Sequence, residues 1–166
     1  LGSTIFGTSG ANTTLGLWVN ARSLQALLML TAPLFLTRKL NLNLMLWGGA
    51  GLTILVTWAS FTNLFPVMID ETGLTTLKVG LEYAVMITLL VAIVYYVQVR
   101  AMLTQRVLYF MIASMALTIA AELFFTLYTD FNGTPFVIGH LFKFLSFWMI
   151  YSAIVKTLLT DPFSVI

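Results

Sequence analysis

The sequence predicts an all-α fold: a polytopic membrane bundle with five transmembrane helices in this chain. Three observations carry the prediction. The chain has 166 residues, of which 60% are hydrophobic and only 8% are charged, against about 25% charged residues in soluble domains. Its mean hydropathy is +0.98. Its apolar residues also fall into five continuous helix-length runs, and a span needs roughly 20 residues at about 1.5 Å each to cross about 30 Å of hydrocarbon. A soluble fold of this size could not cover so much apolar surface with so few charges. Barrel strands would alternate over about ten residues, and these runs are longer and do not alternate.

Residue 1 is Leu rather than Met, so processing or missing upstream sequence is expected. The stretch LGSTIFGTSGANTTLG that opens the chain has neither the basic n-region nor the apolar h-region of a signal peptide. Rich in Gly, Ser, Thr and Asn, it reads as a polar loop at a membrane surface. The first span is expected at residues 15–37, interrupted by Pro33, and the second at 42–64. Within the second, Gly49, Thr53 and Thr57 recur every four residues. They form a narrow strip for helix packing or, less simply, a hinge. The third span is expected at 77–99, the fourth at 107–129 and the fifth at 135–160. Asn132-Gly133 followed by Pro135 is a turn signal between the last two. The connections are short, which makes neighbours antiparallel and the bundle up-down. One membrane domain over 1–163 is expected, with 161–166 starting a linker.

Lys and Arg near the span ends set the orientation. Arg38, Lys39, Arg100, Arg106 and Lys156 fall on one side, which is then cytoplasmic. Lys78 sits on the other, among Asp70, Glu71 and Asp130. The N-terminus of the chain is expected outside and its C-terminus inside. An outside start fits an even number of upstream helices, two being simplest.

Ionisable residues interrupt the apolar runs. Arg22 lies in span one, Glu82 in span three, Glu122 in span four, and His140 and Lys143 in span five, all at similar depth in the outer half. His140 and Lys143 are three residues apart, which puts them on one helix face. A charge at the bilayer centre costs about 2.5–3.5 kcal/mol on insertion scales. Arg22 and Lys143 are expected to offset Glu82 and Glu122, with Asn20, Gln25, Thr118, Thr126 and Ser146 available to the same layer. Three readings stay open. The layer is a structural ion-pair network that fixes helix register, or a pocket open to the outer face for a small ligand, a quinone headgroup, an ion or protons, or a set of snorkelling side chains. His140 is the only His. It is either a neutral imidazole bonded to Glu122 or a backbone carbonyl, or a proton-responsive group.

Several chemistries are excluded. No Cys means no disulfide, thiolate nucleophile or Cys-ligated metal. A lone His cannot build a bis-His haem or multi-His metal site within the chain. No basic stripe suggests nucleic acid, and no Walker, Rossmann or kinase signature occurs. Neither a metal nor a cofactor is expected, and no catalytic residue. Trp18, Trp47, Trp58 and Trp148 include membrane-interface anchors. The aromatic residues of spans four and five are mostly packing.

Several stretches are similar to one known family. LGLWVNARSLQALLMLTAPLF (15–35), TGLTTLKVGLEYAV (72–85) and AAELFFTLYTDFNGTPFVIGHLFKFLSFWMIYSAIVKTLLTDPF (120–163) resemble the third type of membrane-associated sensor (MASE) domain. The most specific pieces are Glu122 to Tyr128, and Gly139-His140-x-x-Lys143 with its aromatic-rich continuation to Tyr151. Leu17 to Arg22, and Gly73 to Lys78 before Glu82-Tyr83, also fit. The resemblance covers about residues 12–163. It implies a bacterial or archaeal multi-span input domain in the plasma (inner) membrane, placed before PAS, histidine kinase or GGDEF diguanylate cyclase output domains. It also implies further spans upstream. The expected function is sensory input, relaying a stimulus at Arg22, Glu82, Glu122, His140 and Lys143 through span five. The expected partners are the bilayer, an output domain in cis and, as one arrangement, a second copy in a homodimer. Asp161-Pro162 marks the expected junction, since Pro breaks the helix. A small transporter or proton-coupled permease subunit is the alternative from another class, and a purely structural anchor is the third.

Overall fold

Helix α1 runs from Thr8 to Thr31 in the computed structural model, which describes residues 8–39, 41–62, 66–70, 73–127 and 133–160. The polar stretch expected as a loop is thus helical from Thr8 onward. Gly, Ser, Thr and Asn are weak helix formers, but here Thr14 and Asn12 have partners. Thr14 Oγ1 donates to the Gly10 carbonyl at 2.9 Å, and Asn12 Oδ1 accepts from the amide of buried Met68 at 2.9 Å. Pro33 breaks the span as expected. It has no N–H to continue the ladder, and a single further turn, α2 (Leu34–Thr37), follows it.

Asn41 caps helix α3 (Leu42–Phe61), its Oδ1 accepting from the amides of Asn43 and Leu44 at 3.1 and 3.3 Å. The helix stops before the expected Leu64, and residues 63–65 lie outside the described part. The next connection holds a short antiparallel ladder, β1 (Ile69–Asp70) against β2 (Gly73–Leu74). Thr75 caps α4 (Thr76–Gln98), accepting from the Lys78 amide at 3.3 Å. A 3-10 turn at Arg100–Met102 leads to α5 (Gln105–Leu127), and α6 covers Thr134–Thr160. Pro135 sits in the first turn of α6, where a missing N–H is harmless. Glu71, Tyr128, Asp130, Asn132, the Asp161-Pro162 junction and the side chains of Asp70 and Lys156 lie outside the described residues.

The result is an all-α bundle with five helices long and apolar enough to cross a membrane. Contacts are richest between α5 and α6, followed by α1 with α4, α4 with α5, and α1 with α3. Neighbours in sequence run antiparallel: Phe125 meets Phe136 and His140 while Ser114 meets Ser146 farther along, so α5 and α6 pass in opposite directions. The apolar core gathers Ala26, Val85, Leu89, Ala92, Tyr96 and Met115 from α1, α4 and α5. It lies beyond the charged layer, toward the end that carries Arg100. Helix α3 stands apart. Ser60 is its only buried residue among those described, and it accepts from Asn20 Nδ2 at 3.0 Å. A Cβ added at Gly48, Gly49 or Gly51 would meet nothing within 4 Å. Among the described residues, none packs closely at Gly49, the glycine of the expected small-residue strip.

Candidate functional site

The charged residues meet where four helices converge, nearer the end at which α5 finishes and α6 begins. Arg22 projects from the middle of α1, Glu82 from the second turn of α4, Glu122 from late in α5 and Lys143 from early in α6. All four are buried, Glu122 completely. Glu122 is the hub. Its Oε2 accepts from Arg22 Nη1, and its Oε1 lies 3.7 Å from Lys143 Nζ. The same Nη1 reaches Glu82 Oε1 at 3.4 Å. Gln25 joins as expected, its Oε1 accepting from Lys143 Nζ at 2.8 Å.

Lys78 belongs to this layer, although its place near a span end left it out of the expected set. Its residue exposure is 1%. The ammonium pairs with Glu82 Oε1 at 2.8 Å and donates to the Phe125 carbonyl at 3.0 Å. The signal was present: Lys78 and Glu82 are four apart, so they share a helix face. Lys78 lies one turn into α4, where the bundle already covers it.

His140 stands beside the layer and is not ion-paired with Glu122. Its Nδ1 contacts the Phe136 carbonyl at 2.9 Å. A carbonyl only accepts, so Nδ1 carries a proton and donates. The imidazole sits among rings, with centroids 4.3 Å from Phe136, 5.1 Å from Phe125 and 5.3 Å from Trp18. Gly139 makes this packing possible: a Cβ there would lie 2.7 Å from Phe125 Cε1. The three-residue spacing thus puts His140 and Lys143 on one face but in different surroundings, one aromatic and one ionic.

The remaining candidates divide. Thr118 and Ser146 form a separate buried hydroxyl cluster with Ser114 between α5 and α6. Thr118 Oγ1 and Ser146 Oγ are 2.7 Å apart, and Ser146 Oγ donates to the Ser114 carbonyl at 3.0 Å. Asn20 serves the α1–α3 contact, and Thr126 Oγ1 donates to the Leu123 carbonyl of its own helix at 2.7 Å. Between the ionic layer and the surface lies a cavity of about 220 Å³, lined by Thr14, Leu15, Trp18, Arg22, Phe125, Phe136 and His140. The Arg22 guanidinium carbon lies 4.6 Å from the Trp18 ring centroid and 4.4 Å from that of Phe125, within cation–π distance of both. Three buried atoms of the layer have no hydrogen-bond partner among the described residues: Arg22 Nε, Glu82 Oε2 and Glu122 Oε1. Among the described residues no group of three or more His, Cys, Asp or Glu could hold a metal ion.

Such a layer can do two things chemically. It ties four helices together through charge, so that displacing one helix changes the pairing of the rest. It also presents a polar floor to an aromatic cavity. No curated protein and no solved structure matches the chain. The membrane-associated sensor domain family, MASE3, matches residues 1–162. That match takes in all five spans and every residue of the ionic layer, and by it the chain belongs to the MASE3 family of membrane-associated sensor domains.

Proposed function

We propose that this domain is the sensory input of a signal-transduction protein and that the layer of Arg22, Lys78, Glu82, Glu122 and Lys143, with His140 beside it, receives the stimulus. The observation that supports this reading most is the convergence of buried charges from four helices on one carboxylate, Glu122, with α6 as one of the contributors. Helix α6 is also the last of the five spans. A stimulus that loosens the Arg22–Glu122 or Lys143–Glu122 contact changes what holds α6 in place. In the orientation set by Arg38, Lys39, Arg100 and Arg106, the far end of α6 is cytoplasmic and the layer lies in the outer half of the plasma membrane. In this reading the domain that follows in cis is a histidine kinase or diguanylate cyclase, as the resemblance implies, and a shift of α6 is handed on to it.

The test is substitution of Glu122, His140 and Lys143 by Ala, one at a time, in the full-length parent protein. Output and its response to stimulus should change while membrane expression holds. Unchanged output at normal expression overturns the sensory role. The structural-anchor reading is favoured by the pairing of every charge in the layer. It predicts that the Glu122–Lys143 pair affects unfolding alone, which a double-mutant cycle read on both stability and output separates.

A further inference from the structure

We propose that the groove between the end of α1 and the start of α3 is a binding site for one anionic phospholipid, with an acyl tail lying between the two helices and the head group held by Arg38 and Lys39. The inference goes beyond the sensory reading and does not rest on it.

The groove comes first. A hydrogen bond from Asn20 to Ser60 ties α1 to α3 at one end. Toward their connection a groove of about 520 Å³ opens between them, within the roughly 300–1,000 Å³ of ligand sites. Its wall on α1 runs from Leu24 to Thr31 and its wall on α3 from Leu44 to Thr53. The α3 wall is about 14 Å long at about 1.5 Å per residue, close to half of the roughly 30 Å of hydrocarbon in a bilayer. The groove therefore matches one leaflet in length. Small residues on α3 leave the space open: a Cβ at Gly48 or Gly49 would meet nothing within 4 Å.

The lining selects an alkyl chain. Leu24, Leu28, Met45 and Leu52 stand along it, and its only polar side chains among the described residues are Thr31 and Thr53. Both hydroxyls donate to carbonyls of their own helices, Thr31 to Leu27 at 2.9 Å and Thr53 to Gly49 at 2.8 Å. No hydroxyl proton is left to hold a polar guest, so hydrocarbon fits without leaving a donor unpaired.

The charge at the open end selects the head group. Arg38 and Lys39 lie in the connection that joins the two walls, and both are exposed. Neither is paired with a carboxylate among the described residues. Of the chain's 6 acidic residues, only Asp161 falls toward the same side. Basic side chains beside spans attract anionic lipid head groups. A second copy fits the groove less well. Closed dimers are mostly two-fold, and the axis that keeps both copies in one membrane orientation runs along the membrane normal. It would set a second Arg38–Lys39 pair beside the first, where like charges repel.

The experiment titrates the purified chain in detergent with dioleoyl phosphatidylglycerol and, separately, with dioleoyl phosphatidylcholine, and reads bound lipid by native mass spectrometry. One phosphatidylglycerol should bind saturably, roughly thirtyfold tighter than phosphatidylcholine, since each of two cations contributes about fivefold, or about 1 kcal/mol. Equal affinity for the two lipids overturns the proposal. Arg38→Gln with Lys39→Gln should remove the preference, whereas Arg106→Gln, an exposed cation on α5, should leave it intact. An equal loss from Arg106→Gln means attraction to surface charge in general and overturns the site. Gly49→Phe places a ring in the groove and should weaken binding by at least about fivefold, or about 1 kcal/mol, the lower end of overpacking costs, with the melting profile unchanged. Wild-type affinity in a folded Gly49→Phe chain overturns the proposal. A dimer that persists in both lipids and excludes phosphatidylglycerol gives the groove to a second copy and also overturns it.

Discussion

Helices α3 and α6 are about equally apolar, and both are long enough to cross a membrane, yet they relate to the rest of the molecule differently. Of the α3 span, 6% is buried; of the α6 span, 22%. Helix α6 brings Gly139, Lys143 and Ser146 to α5, and each finds a partner there: a ring face, a carboxylate and a hydroxyl cluster. Helix α3 brings one buried hydroxyl, Ser60, and presents Trp47, Ile54 and Trp58 outward. Apolar character decides which segments leave water. It does not decide which of them pack together, because lipid solvates Leu as well as another helix does. Inside a bilayer, close packing follows from small residues and from polar groups that need partners.

Glu122 ties α6 to α1 and α5 through Lys143 and Arg22. Replacing it by Ala strands Arg22 and Lys143 in a buried site, and removing one partner of a buried pair costs about 3–5 kcal/mol. Unfolding of the purified domain in detergent should show that loss, and a loss below about 1 kcal/mol would mean the layer is hydrated. Gly139→Leu comes next. Its side chain must displace the Phe125 ring, and overpacking of this kind costs about 1–3 kcal/mol. The same unfolding assay measures it, and normal stability would show that α5 and α6 are less closely packed than their contacts indicate. Ser146→Ala removes a hydroxyl shared with Ser114 and Thr118. Interhelical hydrogen bonds in membranes average about 0.6 kcal/mol, so a small but measurable destabilisation is expected. Gly48→Ala in α3 should change stability by no more than about 0.5 kcal/mol, since its Cβ meets nothing. A larger loss in nanodiscs would show that another helix, outside this chain's own packing, rests on α3.

Several features were legible from residues alone. Five apolar runs gave five spans, Pro33 marked the break between α1 and α2, and the carboxylates of α4 and α5 were matched in depth with Arg22 and Lys143. Each follows from a local rule: length against bilayer thickness, a missing N–H, and residue position along a helix of fixed rise. The extension of α1 back to Thr8 was not legible. Composition describes the average fate of Gly, Thr and Asn, whereas the Asn12–Met68 bond is one particular contact.

The sequence by itself therefore determined the solvent, the number of spans and the approximate depth of the charges, because hydropathy and helix rise act along one dimension. Only the tertiary structure decided the pairing. It drew Lys78 inward onto Glu82, made Glu122 the shared acceptor, turned His140 to a backbone carbonyl among rings, and left α3 at the edge. Those outcomes depend on which helix faces meet. That is set by the fit of side chains such as Gly139 against Phe125, and no one-dimensional pattern records it.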